Sequence, residues 1–194
     1  LGFLQFQLEF HTKLENHKLL NFGYSYIRQN MTIVLKNKET LHFKEFKFKC
    51  CIGKNGLTNN KVEGDKKTPK GTYTLGDLFY RKDRNLKPKT KLKCISIKKK
   101  MGWCNDIKNK KKYNKLIKIN KNIRYEKLFR NDFKYDYFIP INFNTKKTIL
   151  GKGSAIFFHL TKNYNPTSGC IAIQKKDFLI LIKLLKRNTK IKIT

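Results

Sequence analysis

Acidic residues are scarce in this chain: 13 Asp and Glu stand against 45 Lys and Arg, a formal charge of +32. Such a surplus draws polyanions at low salt, but it argues about association rather than fold or chemistry. No run of 18 apolar residues occurs, so no helix is expected to span a membrane. The apolar stretch at the amino terminus is interrupted by Gln5, Gln7 and Glu9 and has no preceding basic region, so no export signal is visible. Cysteines number five, Cys50, Cys51, Cys94, Cys104 and Cys170, an odd count in a chain too long to need staples. A disulfide framework is therefore not expected. No two of them have the CxxC spacing of a zinc site, and no metal is expected. Helix-turn-helix spacing, paired zinc-ligand motifs and RNP-like aromatic strings are missing too, which leaves no specific nucleic-acid partner.

Lysine is present in excess instead, spread from Lys13 to Lys192 among many Asn and Ile residues. AT-rich codons favour those three residue types, so mutational bias can supply the charge without selection. A hydrophobic fraction of 39% with 13% aromatics is enough to build a core in one domain. From Met31 onward the pattern is mostly short strands, at 32–35, 40–43, 46–52, 71–75, 115–119, 135–142 and 155–159. Many alternate apolar residues with Lys or Asn, the signature of a strand with one wet face. Near the end, Asp177 leads a helical stripe of Phe178, Leu181, Ile182, Leu184 and Leu185, followed by an alternating strand at 189–193. The expected architecture is mainly β with one packed carboxy-terminal helix.

The chemistry concentrates in two neighbouring segments. Gly151-Lys152-Gly153-Ser154-Ala155-Ile156-Phe157-Phe158-His159 delivers a histidine at the end of a strand, and Pro166-Thr167-Ser168-Gly169-Cys170 delivers a cysteine in the next turn. Gly169 permits a tight backbone in which amides around the thiol can converge on a developing oxyanion. The loop between His159 and Cys170 is long enough to fold back and bring imidazole and thiol together. His159 would then take the thiol proton and leave a thiolate nucleophile. On residue types alone, a Cys between apolar neighbours is equally readable as a core residue.

Several ordered motifs extend the reading. His159 with Ser168-Gly169-Cys170 is similar to the His and Ser/Thr-x-Gly-Cys signature of L,D-transpeptidase catalytic domains of the YkuD type. Glu63-Gly64-Asp65-Lys66-Lys67-Thr68-Pro69-Lys70-Gly71-Thr72-Tyr73 resembles that family's G-D-x-x-T-P-x-G-x-Y/F segment. Gly102-Trp103-Cys104-Asn105-Asp106, Tyr113-Asn114 and Glu126-Lys127-Leu128-Phe129-Arg130 resemble blocks of one compact branch of it. The resemblance runs from about Met31 to the end and departs at two points: Ser168 stands where many members have His, and Ala172 where many have Arg.

The resemblance implies a YkuD-like β-sandwich acting on peptidoglycan stem peptides without a cofactor. Cys170 would be the nucleophile and His159 the base. Gly169 and Cys170 would offer amides to the oxyanion, with Ser168 shaping the turn, and the Leu160 backbone carbonyl would orient the imidazole. Trp103 and Tyr113 are candidates for the substrate groove, although aromatics are commoner in cores and edges. Two rival readings stay open: a basic polyanion-binding module on the same fold, and a carboxypeptidase or other cysteine amide hydrolase, in the cytoplasm if there is no export. The family points to the cell envelope or periplasm. Residues 1–30 read as an extension, with Met31 as the native start and 31–194 as the catalytic domain. Mass analysis of the native amino terminus checks this, and any peptide from upstream of Met31 would reject it.

Overall fold

The computed structural model describes residues 31–194; the expectation for residues 1–30 lies outside the described residues. A meander opens the domain: β1 (Thr32–Lys36), β2 (Thr40–Phe43) and β3 (Phe46–Lys49). Two short strands, β4 (Leu57–Thr58) and β5 (Thr68–Pro69), precede β6 (Gly71–Thr74), β7 (Leu78–Tyr80) and β8 (Cys94–Ser96). A three-stranded unit follows, β9 (Met101–Cys104), β10 (Leu116–Lys118) and β11 (Tyr125–Lys127). The chain closes with β12 (Tyr137–Pro140), β13 (Phe157–Thr161), β14 (Ile171–Gln174), helix α1 (Lys175–Leu184) and β15 (Lys190–Ile193).

The first sheet has the order β3-β2-β1-β15-β6. Its parallel centre sets Ile33 opposite Ile191 and Leu35 opposite Ile193, so the terminal strand sits beside the first. Alternation does what the sequence promised: Ile33, Leu35, Leu41, Phe43, Phe48, Ile191 and Ile193 turn inward. Lys36, Lys47, Lys49, Lys190 and Lys192 face water.

The second sheet, β14-β13-β12-β7-β8, lies between two apolar layers. Phe158, Leu160, Ile171 and Ile173 join the first sheet and α1 in the larger core. On the opposite face Phe157, Phe138, Phe79, Tyr135 and Cys170 form a smaller cluster, onto which Met101 and Trp103 of β9 pack. Strands covered on both faces lose alternation, which is why β7, with all three residues buried, was not legible as a strand. The segment expected as one strand at 46–52 divides in the same way: β3 ends at Lys49, and Cys51 turns to exchange two hydrogen bonds with Ala172, both at 2.9 Å.

Helix α1 starts earlier than Asp177. Gln174 is its cap residue and makes no side-chain cap hydrogen bond, while Asp177 lies in the first turn, where a carboxylate opposes the helix dipole. The stripe holds: Phe178, Leu181, Ile182 and Leu185 are fully buried and Leu184 half-buried. Phe178 packs against Tyr137 at 6.3 Å and Phe158 at 5.3 Å between ring centroids, tying the helix to β12 and β13. Replacing Phe178 with Ala should therefore destabilise the domain by about 3–5 kcal/mol in urea-unfolding titrations. A loss below about 1 kcal/mol would show that the helix contributes little to the core.

Candidate active site

β13 and β14 run parallel, with Phe158 opposite Ile171 and His159 opposite Ala172. Extending that register by one residue places Cys170 opposite Phe157. Side chains alternate along a strand, so Phe157, His159, Cys170 and Ala172 all emerge on one face. Cys170 is thus the diagonal neighbour of His159, and the small Ala172 directly beside the ring leaves it room. Both residues line a cavity of about 600 Å³.

The thiol is anchored from two sides. The Phe157 amide donates to Cys170 Sγ at 3.2 Å, and the thiol donates to the Ala155 carbonyl at 3.3 Å. His159 Nδ1 lies 3.0 Å from the Leu160 carbonyl oxygen. A carbonyl can only accept, so Nδ1 carries the proton and the Nε2 lone pair is left to act as base. The Leu160 backbone oxygen is thus the group that sets the imidazole's tautomer. The buried Tyr135 ring meets the imidazole edge-on, 5.5 Å between centroids at 72°, and holds the other side of the ring.

The cysteine turn is held by a residue a hundred positions away. Thr68 is fully buried; its hydroxyl accepts from the Gly53 amide at 2.9 Å and donates to the Gly169 carbonyl at 2.8 Å. Gly169 has φ +133°, and a Cβ there would stand 2.9 Å from the Lys67 carbonyl oxygen, so only glycine fits. Thr167 closes the turn: its hydroxyl donates to the Cys170 carbonyl at 2.6 Å and accepts from the Gly169 amide at 3.1 Å. This changes one expectation. The Gly169 amide is engaged by Thr167 in the resting site, which leaves the Cys170 amide as the donor of that pair for an oxyanion. Ser168 is exposed at the cavity rim.

Trp103 and Tyr113 take the commoner place of aromatics, in the packing. Neither lines the cavity. Trp103 packs edge-on against Phe157 at 5.3 Å, with its indole N–H donating to Asn114 Oδ1 at 2.9 Å. Tyr113 is fully buried behind the wall, its hydroxyl donating to Glu63 Oε2 at 2.5 Å. Both aromatics support the site from behind. Glu63, Glu126 and Tyr135, in contrast, line the cavity although the sequence gave them no role of their own. Glu126 accepts from Arg130 at 3.0 Å and from the Tyr135 hydroxyl at 3.2 Å. The signal that could have found the two glutamates was their place in the motif blocks beginning at Glu63 and Glu126.

Burial sets the protonation states. It pushes the Cys170 thiol up to about 12. It brings the His159 imidazole down to about 4, with Lys134 and Arg130 adding to the fall. At neutral pH the pair is a neutral thiol beside a neutral imidazole, and a thiolate forms only as the proton moves. All five cysteines are free. Among the described residues no group of three or more His, Cys, Asp or Glu converges as metal ligands, and no helix is long and apolar enough to cross a membrane.

The family comparison matches residues 25–193 to the YkuD family, the L,D-transpeptidase catalytic domain. The chain belongs to this family. No curated protein matches it. Among solved structures, Bd1075 of Bdellovibrio bacteriovorus aligns with a TM-score of 0.46 and 12% identity over 86% of this chain. This chain spans about half, 48%, of the length of that one.

A neutral resting pair makes a measurable prediction for this L,D-transpeptidase domain. Alkylation of Cys170 by iodoacetamide, followed peptide by peptide in a mass spectrometer, should accelerate about tenfold per pH unit from roughly pH 7 to 10. A rate already level below about pH 8 would mean a thiolate–imidazolium pair at rest.

Proposed function

We propose that this domain is a cysteine-dependent peptidoglycan L,D-transpeptidase that works in cell-wall crosslinking or remodelling at the envelope. What carries the reading is the pairing of a buried thiol and an Nδ1-protonated imidazole on one wall of a cavity, within a chain of this family. Cys170 Sγ attacks the carbonyl carbon of the third residue of a tetrapeptide stem as its proton passes to His159 Nε2. The carbonyl electron pair moves onto oxygen, where the Cys170 amide meets it. Collapse of the tetrahedral species breaks the bond to D-alanine, whose amine leaves with the proton from His159. A thioester remains. An acceptor amine then attacks it, gives its proton to His159, and the thiol is regenerated. Water in place of the amine makes the same site a carboxypeptidase.

The walls suit an anionic substrate. Lys66, Arg124, Lys134 and Lys162 line the cavity, and none has a carboxylate partner among the described residues. The lysines of the first sheet's outer face support a looser association with anionic wall polymers.

Intact-mass spectrometry of the protein incubated with purified disaccharide-tetrapeptide tests the reading. The expected result is an acyl adduct and released D-alanine, both lost in Cys170→Ala. Crosslinked dimers among the products mark a transpeptidase and tripeptide alone a carboxypeptidase. Folded protein that yields no adduct and no D-alanine would overturn the assignment in favour of another amide substrate or a binding role.

A further inference from the structure

The cavity holds two carboxylates among its many cations, and they are not equivalent. Glu126 is compensated, because the Arg130 guanidinium lies 3.0 Å from its Oε1. Glu63 makes no ion pair among the described residues. Its Oε2 is held by two neutral hydroxyls, Tyr113 at 2.5 Å and the buried Ser154 at 2.7 Å, and its amide donates to the Gly151 carbonyl at 2.8 Å. Those contacts come from two other stretches of chain, at residue 113 and at 151–154. Two segments thus converge on Glu63 and fix its carboxylate without neutralising it. Lys61, which could have done so, is committed elsewhere: its ammonium donates to Asp65 at 2.5 Å and to the Val62 carbonyl.

A carboxylate held by neutral hydroxyls, with no ion-pair partner, is the acceptor this otherwise basic cavity offers to a cationic group of a ligand. Its place indicates which cation. Ser154 is next in sequence to Ala155, whose carbonyl touches the Cys170 thiol. Glu63 therefore stands about one residue's length plus a hydrogen bond from the nucleophile, on the order of 10 Å. From a donor residue whose carbonyl met Cys170, a side chain of three or four methylenes ending in an ammonium would span that interval. An ammonium elsewhere in the cavity would face Lys66, Arg124, Lys134 or Lys162.

We propose that Glu63, held by Tyr113 and Ser154, is the specificity residue that receives the side-chain ammonium of the donor stem's third residue. The inference rests on the donor reading above. It assigns Tyr113 and Ser154 as positioning residues acting through Glu63.

The test compares acyl-enzyme formation and D-alanine release on two donors: disaccharide-tetrapeptide with a free side-chain amine at the third residue, and the same compound acetylated there. This half-reaction does not involve the acceptor. Wild type should prefer the free amine by about 10- to 100-fold in kcat/KM, the range for a charge-assisted contact. Glu63→Gln should lose that preference, falling on the free amine to the level of the acetylated donor while leaving the acetylated rate within about threefold of wild type. Glu63→Asp, which keeps the charge, should retain a preference. Thermal unfolding of each variant reports whether it folds. An equal fall of Glu63→Gln on both donors, or a wild type indifferent to acetylation, would overturn the assignment while leaving the acyl-transfer reading intact. Wild type inactive on the amine-bearing donor would overturn the acyl-transfer reading itself, and this inference with it.

Discussion

The register of β13 against β14 is the constraint on which the rest of the molecule depends. With Phe158 opposite Ile171, the odd-numbered Phe157 and His159 face the same side as Cys170 and Ala172, and the alternate set Phe158, Leu160, Ile171 and Ile173 faces the main core. A slip of one residue would turn every side chain of one strand over. Cys170 would enter the core beneath the first sheet, and an isoleucine would stand beside His159. Both faces are apolar here, so burial of hydrophobic side chains alone does not fix the register. Size does: bulky Phe158, Leu160, Ile171 and Ile173 fill the wider space against the first sheet and α1, while small Ala172 and Cys170 border the cavity. The edge is pinned as well, because Cys51 exchanges backbone hydrogen bonds with Ala172 and so fixes which amides of β14 face outward.

A parallel pair cannot be joined by a tight hairpin, so the chain between His159 and Cys170 must travel out and return. Its return is the cysteine turn, and that turn is stabilised from outside itself. Thr68 satisfies the Gly53 amide and the Gly169 carbonyl together, so a buried hydroxyl carries polar groups from two distant loops that would otherwise be left unpaired. The threonine of the upstream motif thus has a physical role that does not require substrate contact. The close approach of Gly169 to the Lys67 carbonyl comes from the same packing, which is why a glycine and a threonine far apart in sequence belong to one device.

Some of this was legible in the residues and some was not, for reasons that differ by element. Strands with one wet face announced themselves, as in Lys190-Ile191-Lys192-Ile193, because water and core impose opposite demands on neighbouring positions. The stripe of α1 did the same at helical period. Strand β7 had no such contrast, being covered on both sides, whereas the buried β12 was found within the apolar run at 135–142. His159 and Cys170 were legible through motif order, but their shared face was a matter of pairing, which a single strand cannot display. Aromatic identity left Trp103 and Tyr113 open between groove and packing: a large ring with a polar tip suits a groove wall and the space behind it, and only the partner decides. For Tyr113 that partner is Glu63, whose sequence neighbourhood reads as a turn.

The charge of the chain reaches its chemistry in a way that composition could not express. Burial opposes ionisation of both the thiol and the imidazole, and by itself would make proton transfer between them costly. The cations around the cavity do not act symmetrically on that transfer. Lys134 and Arg130 disfavour the imidazolium, while Lys61 and Arg130 favour a thiolate, though Glu126 opposes it. Burial disfavours both ions, and the neighbouring cations add to that cost for an imidazolium while offsetting part of it for a thiolate. In the acyl-transfer reading proposed above, charge that leaves Cys170 for a carbonyl oxygen would meet these same cations. Lysine that codon bias could have scattered without purpose sets, where it borders this cavity, the charge that the imidazole and the thiol meet.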